Sequence, residues 1–217
     1  MASQSHFISL EGGEGTGKST QIILLTERLK KLGIDVISTR EPGGCESAEL
    51  IRDFVLTGDT DRWTPMTEAL LFTAARKEHT QRVIIPALSE GKWVITDRYF
   101  DSTLAYQGGG HGLGIAKMRE LTRLALDDFE PDLTIILDID IDIGLERAGN
   151  RLTATSSSED RFERMGTAFH QTLRKAMLTI AEREPARCRV IDAAGEVNDV
   201  HERIWSAVST RFELPDA

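Results

Sequence analysis

Ten consecutive residues, Glu11-Gly12-Gly13-Glu14-Gly15-Thr16-Gly17-Lys18-Ser19-Thr20, hold the most chemistry per position in this sequence. They fit the spacing G-x-x-x-x-G-K-[ST], in which glycines let backbone N–H groups converge on phosphate oxygens at the start of a helix. In that pattern Lys18 reaches the outer phosphates of a nucleoside triphosphate, and the Ser19 hydroxyl ligates Mg²⁺. Gly12 to Thr20 are therefore the candidate phosphate cradle. A glycine-rich turn with no ligand is the competing reading. The apolar-alternating run Phe7-Ile8-Ser9-Leu10 before the glycines and the helical pattern from Ser19 to Leu32 after them favour the cradle, since a phosphate loop joins a strand to a helix.

Four further groups place charge or aromatic surface at informative spacings. Asp97-Arg98 ends an apolar run. It is either a local ion pair or, beside the cradle, an Asp near metal and acceptor with an Arg gripping a phosphate through paired donors. Phe72 and Arg76 are four apart and share a helix face, where a ring and a fork of donors suit a nucleobase; the same pair also serves as ordinary core and rim. Ser102, Tyr106 and Gln107 fall within about 1.5 turns of a short helix, ended by Gly108-Gly109-Gly110, and form either a pocket wall or a polar surface. Arg147, Arg151 and Arg161 flank the polar stretch Gly149 to Asp160, which has no apolar period. That stretch reads as a surface loop or as a lid whose arginines close over a transferring phosphoryl group. The five histidines form no metal-ligand pattern, so Mg²⁺ is the one metal expected.

These residues need a frame that brings them together. Apolar runs at Phe7–Leu10, Val36–Thr39, Trp93–Thr96, Leu133–Leu137 and Arg189–Ile191 predict five strands. Helical periodicity follows the cradle, and recurs from Thr64-Pro65 to about Gly91 with a bend near Pro86, then over Ile115–Leu126, Ile141–Ala148, Phe162–Arg183 and Val197–Phe212. Strands alternating with helices predict a parallel sheet covered on both faces, with ligands beyond the carboxyl ends of its strands. The cradle, Thr39-Arg40-Glu41-Pro42-Gly43-Gly44 and Asp97-Arg98-Tyr99 each follow a strand and should meet in one crevice.

The length of 217 residues suits a single P-loop domain over 1–217, with a lid segment at about 147–162. A formal net charge of −9 disfavours nucleic acid as a partner, while local arginines can still hold a small phosphorylated ligand. Cys45 and Cys188 fit no metal spacing and read as reduced thiols. No run approaches about 18 apolar residues and no signal-peptide pattern opens the chain, so the expectation is a cytoplasmic protein with no membrane partner.

The ordered set of Glu11-Gly12 with Glu14, Thr39-Arg40-Glu41-Pro42-Gly43-Gly44, Asp97-Arg98-Tyr99 with Ser102, and Ala105-Tyr106-Gln107-Gly108 resembles the thymidylate kinase family. The resemblance runs over nearly the whole chain, from Phe7 past Asp192. It implies an α/β fold of the P-loop nucleoside monophosphate kinase kind, with a five-stranded parallel sheet, flanking helices and a short lid. It implies transfer of the γ-phosphoryl group of ATP to dTMP, with Mg²⁺, and a homodimer. Under it Glu14 contacts the deoxyribose 3′-hydroxyl, Phe72 stacks on thymine with Pro42 on the other side, and Arg76 donates to a thymine carbonyl. Arg98 holds the dTMP phosphate, and Asp97 lies near the metal and phosphates. Ser102, Thr103 and Gln107 match base-edge and phosphate contacts, and Tyr106 matches the ring that disfavours a 2′-hydroxyl. No arginine lies between Gly12 and Lys18, so the likeness is to the bacterial-type subgroup, whose catalytic arginine comes from the lid. Arg151 is then the first candidate and Arg147 the second, with Arg161 at the lid's far end. The implied catalytic set is Lys18, Arg151, Asp97 and Arg98, with Ser19 and Asp97 at the metal. Two alternatives stand beside this: a kinase for another pyrimidine nucleotide or nucleoside, and a non-catalytic nucleotide switch, which the lack of a guanine-reading Asn-Lys-x-Asp segment disfavours.

Overall fold

The computed structural model describes residues 5–155, 161–162 and 164–215, with the side chains of 151–155 outside that description. Five strands, β1 (Phe7–Gly12), β2 (Val36–Arg40), β3 (Trp93–Asp97), β4 (Leu133–Asp138) and β5 (Cys188–Asp192), form one parallel sheet in the order β2-β3-β1-β4-β5. All five expected strands are there, each one or two residues longer than its apolar run. The helices among the described residues are α1 (Lys18–Lys31), α2 (Glu46–Leu56), α3 (Pro65–His79), α4 (Ile85–Ser89), α5 (Phe100–Thr103), α6 (Ile115–Leu126), α7 (Ile141–Thr155), α8 (Thr167–Arg183) and α9 (Val197–Phe212). None is long and apolar enough to cross a membrane. Both cysteines are free.

β1 lies at the centre and is buried along its whole length, as a parallel strand covered on both faces must be. Ile8 and Leu10 pack with Leu25 and Leu29 of α1 and with Ile204 and Trp205 of α9. Phe7 joins the other layer, with Ala69 of α3, Met118 of α6 and Leu173 of α8. The chain leaves β1 through α1 toward β2, comes back to β3, and then crosses β1 to β4. The connections diverge around the carboxyl end of β1, which is where such a sheet opens a crevice.

The structure differs from the sequence expectations at four helices. The long segment before β3 is α3, a π-helical turn at Thr80–Ile84, and α4. Pro86 has no N–H to donate and its ring crowds the carbonyl four residues back, so the ladder widens just ahead of it. α2 was not expected at all. α7 continues to Thr155, so the first part of the stretch read as a loop is helical, and residues 156–160 lie outside the described residues. α8 starts at Thr167 rather than Phe162, because Arg161 and Phe162 are drawn into the interior as a turn.

After α5 the chain forms a second π-helical stretch, Leu104–Gly110. Gly108-Gly109-Gly110 lie inside it, not beyond its end. A Cβ on Gly109 would sit 2.5 Å from the Ala176 Cβ, and one on Gly110 would sit 2.5 Å from the Phe169 ring. The missing side chains let α8 press against the stretch that carries Tyr106 and Gln107.

Candidate active site

β1 carries Glu11 and Gly12 to the open end of the sheet, and the loop then folds back into α1. Gly17 caps α1 at φ +91°, and no side chain caps the helix. The first-turn N–H groups are thus aimed at the loop's interior, where an anion is favoured. Lys18 is 7% exposed, and its Nζ donates to Gly13 O at 2.8 Å and Gly12 O at 3.2 Å. Burial, then the nearby Arg98 guanidinium, lower its pKa to about 8. Ser19 Oγ donates to Asp97 Oδ2 at 2.9 Å, which joins the end of β3 to the start of α1. Two neighbouring oxygen groups of this kind suit a hard, oxygen-seeking cation.

Arg98 stands where β3 ends, at φ +69°, a backbone region that costs a residue with a Cβ and persists where the surroundings enforce it. Its guanidinium donates to Gly12 O at 2.9 Å, Glu14 Oε1 at 3.0 Å and Ser102 Oγ at 3.2 Å, and lies 5.0 Å from the centre of the Tyr106 ring. The Tyr106 hydroxyl donates to the same Glu14 oxygen. Burial alone would raise the Glu14 pKa, but Arg98 and then Lys18 outweigh it and hold the carboxyl at about 2. Burial raises the Tyr106 pKa well above its ordinary value, so the phenol keeps its proton. The result is a fixed negative charge, a fixed positive charge and a neutral donor in contact. Behind them Glu11 accepts from Tyr99 N at 2.7 Å and Ser102 Oγ at 2.6 Å, and burial, then Asp101, push its pKa up to about 7.

A cavity of about 780 Å³ runs from this cluster to α3, within the size range of ligand sites. Glu14 to Ser19, Pro42, Phe72, Arg76, Asp97, Arg98, Ser102, Thr103, Tyr106 and Gln107 all border it, as does Thr20. Gly12 and Gly13 instead border a small separate hollow on the far side of the loop. Arg76 is 2% exposed and gives Nε to Glu41 at 2.6 Å, one terminal nitrogen to Thr103 Oγ1 at 2.8 Å and the other to Tyr99 O at 3.1 Å. Three of the five N–H donors of a guanidinium are thereby used, and Arg76 borders the cavity with two uncommitted. Glu41 also holds His79 Nδ1 at 2.9 Å, so the Arg76 anchor is itself anchored.

The three arginines flanking the polar stretch separate clearly. Arg147 is exposed on α7 and borders the cavity. Arg151 lies on the same helix, with its side chain outside the described residues. Arg161 does not fit the expected lid role. Its side chain is sealed from solvent, donates to Asp59 O at 3.0 Å, Val55 O at 3.1 Å and Thr60 O at 2.9 Å, and pairs with the buried Glu68 carboxylate. With four of its five donors committed and its side chain shut off from solvent, this guanidinium is not presented to a phosphate.

α7 begins hard against the phosphate loop. A Cβ on Gly15 would lie 1.9 Å from Gly144 O, and one on Gly144 would lie 2.7 Å from Glu14 O. Sequence reasoning missed several cavity neighbours. Arg52 and Leu56 come from the unexpected α2, Phe162 from the turn before α8, and Ala193, Gly195 and Val197 from the end of β5 into α9. The last group was reachable by the rule applied to the first three strands, since it too follows a strand's carboxyl end.

A family model described as Thymidylate kinase matches residues 10–204. Thymidylate kinase from Caulobacter vibrioides is 49% identical over 211 residues, covering 97% of this chain and 99% of that one. The protein of the same description from Pelobacter propionicus is 47% identical over 204 residues, covering 94% and 93%. Among solved structures, the crystal structure of thymidylate kinase from Ehrlichia chaffeensis superposes with a TM-score of 0.76 at 33% identity, covering 94% of this chain and 98% of that chain.

Proposed function

The chain belongs to the thymidylate kinase family, and on that premise we propose that it transfers the γ-phosphoryl group of ATP to dTMP, giving ADP and dTDP. One observation supports the assignment of roles: a single cavity joins the phosphate loop to the Phe72 and Arg76 wall, with Arg98 and Glu14 between them. ATP phosphates occupy the cradle of Gly12 to Thr20, with Lys18 on the outer phosphates. dTMP lies with its base between Phe72 and Pro42, its C4 carbonyl toward the remaining donors of Arg76, and its phosphate at Arg98. Glu14 takes the 3′-hydroxyl, and the Tyr106 ring lies under the sugar. A dTMP phosphate oxygen attacks the γ-phosphorus as the bond to the bridging oxygen breaks and ADP departs with that electron pair. No covalent enzyme intermediate is required, because positioning and charge stabilisation supply most of this catalysis.

Mg²⁺ fits the Ser19 and Asp97 oxygens, and when bound it offsets charge on the donor phosphates. The arginine of the transferring group comes from α7, from Arg151 or Arg147, because that helix begins against the phosphate loop and Arg147 borders the cavity. We read 1–217 as one catalytic domain in a cytoplasmic homodimer. Exposed Leu50 and Phe54 of α2 and Leu70 of α3 are apolar side chains that a second copy would cover. A coupled ADP-release assay with dTMP, dUMP, dCMP and AMP tests the assignment. It predicts that dTMP gives the highest kcat/KM, and faster turnover of any other acceptor would overturn it.

A further inference from the structure

Glu68 is one helical turn before Phe72 and two before Arg76, on the same face of α3. It is wholly buried, and the polar partners of its side chain among the described residues are Gln107, His111 and Arg161. Its Oε1 accepts from Gln107 Nε2 at 2.7 Å and is 3.2 Å from His111 Nε2, and its other oxygen pairs with Arg161. An ionised carboxylate has only acceptors to offer. The Gln107 carboxamide is therefore fixed with its NH₂ toward Glu68 and its carbonyl oxygen turned away. Among the described residues that carbonyl oxygen has no partner, yet it is not sealed off, and Gln107 borders the cavity.

Resting on the proposed dTMP site, we infer that Glu68 is a specificity-determining positioning residue, which orients Gln107 so that the base edge is read by an acceptor beside the donor of Arg76. Thymine and uracil present a C4 carbonyl and an N3–H, an acceptor next to a donor. Cytosine presents an amino group and a bare N3, a donor next to an acceptor. Against Arg76 and a fixed Gln107 carbonyl the cytosine edge is mismatched at both positions, and buried mismatches of this kind are strongly rejected. Gln107 by itself could turn its amide over and serve cytosine equally well. Glu68 removes that freedom.

The test is Glu68→Gln, assayed for kcat/KM with dTMP, dUMP and dCMP. A neutral amide at 68 both donates and accepts, so Gln107 gains a second orientation. The dTMP-to-dCMP ratio should fall by about 10- to 100-fold, the worth of one buried hydrogen bond to a charged or mismatched group. The dTMP-to-dUMP ratio should stay constant, since both bases share the imide edge. Ratios do not depend on the fraction of folded enzyme, so a general loss of structure lowers all three rates together and leaves both ratios alone. If the variant does not fold because Arg161 loses its counter-charge, E68Q/R161M removes both charges and carries the same test. An unchanged dTMP-to-dCMP ratio in the folded variant overturns the inference, as does equal use of dCMP and dTMP by the parent enzyme. A parent enzyme with no turnover of dTMP would overturn the underlying assignment instead.

Discussion

Replacing Arg161 with methionine separates a structural arginine from a catalytic one. The guanidinium makes one bond to the carbonyl of Val55 near the end of α2, two to the carbonyls of Asp59 and Thr60 in the α2–α3 connection, and one ion pair, with its own side chain out of contact with solvent. Asp59 and Thr60 are not buried, so water can replace the arginine at their carbonyls. Glu68 cannot be rescued that way. Burial would raise its pKa, but His111, Gln107 and Arg161 outweigh that and keep it below the ordinary value, and the variant takes away the cation. Breaking a buried pair typically costs about 3–5 kcal/mol, and the two surviving partners hold this case to about 3–4. At about 2–4 °C per kcal/mol for a chain of this length, Tm should drop by roughly 6–16 °C. Turnover at saturating ATP and dTMP, well below the transition, should stay within about threefold, since no transition-state contact is lost. Calorimetry and a coupled assay on one preparation give both numbers. A Tm within a degree or two of the parent with turnover down a hundredfold or more would refute the reasoning and return Arg161 to the transferring phosphate.

Arg151→Ala and Arg147→Ala should divide the other way: the one that meets the transferring group loses about 10³-fold or more in kcat with little change in Tm, and near-parental turnover in both would remove the catalytic arginine from α7. For the free enzyme, kcat/KM for ATP should decline as pH rises through about 8, because the Lys18 pKa is depressed to that value and the neutral amine cannot pair with phosphate; a flat profile to pH 9.5 would contradict the role. Glu11, raised to about 7, binds more protons folded than unfolded between its ordinary pKa and 7, so its contribution to stability falls as pH rises through that window. Glu11→Gln lacks this titration, and its Tm should gain on the parent between pH 5 and pH 8; parallel curves would show that Glu11 titrates normally.

The sheet was legible because each strand is a short apolar run closed by charged or glycine residues, and β1, buried on both faces, has no exposed position to blur the pattern. The acceptor wall was legible in part. Phe72 and Arg76 share a face by spacing alone, and extending that face back one turn would have reached Glu68. α2 escaped notice because Leu50 and Phe54 face outward, so its apolar residues do not mark a single buried stripe. The fate of Arg161 was out of reach, since its partners are backbone carbonyls more than a hundred residues away, which have no side-chain signature. Charge and spacing around a polar stretch cannot tell a guanidinium that faces solvent from one that plugs the interior.

The glycine-to-glycine seam between Gly15 and Gly144 works as a datum from which distances along α7 are gauged. Arg147 is three residues beyond it and Arg151 seven, so the two sit on one side of the helix at axial steps of about 4.5 and 10.5 Å. An arginine shifted to 148 or 149 would face another direction, which makes the reach of the cation adjustable in steps of about one turn. Neither glycine can take a side chain without moving loop and helix apart. The cradle that holds the donor and the arm that answers it have therefore been tied to one origin, and descendants of this sequence can vary the length of the arm far more easily than its point of attachment.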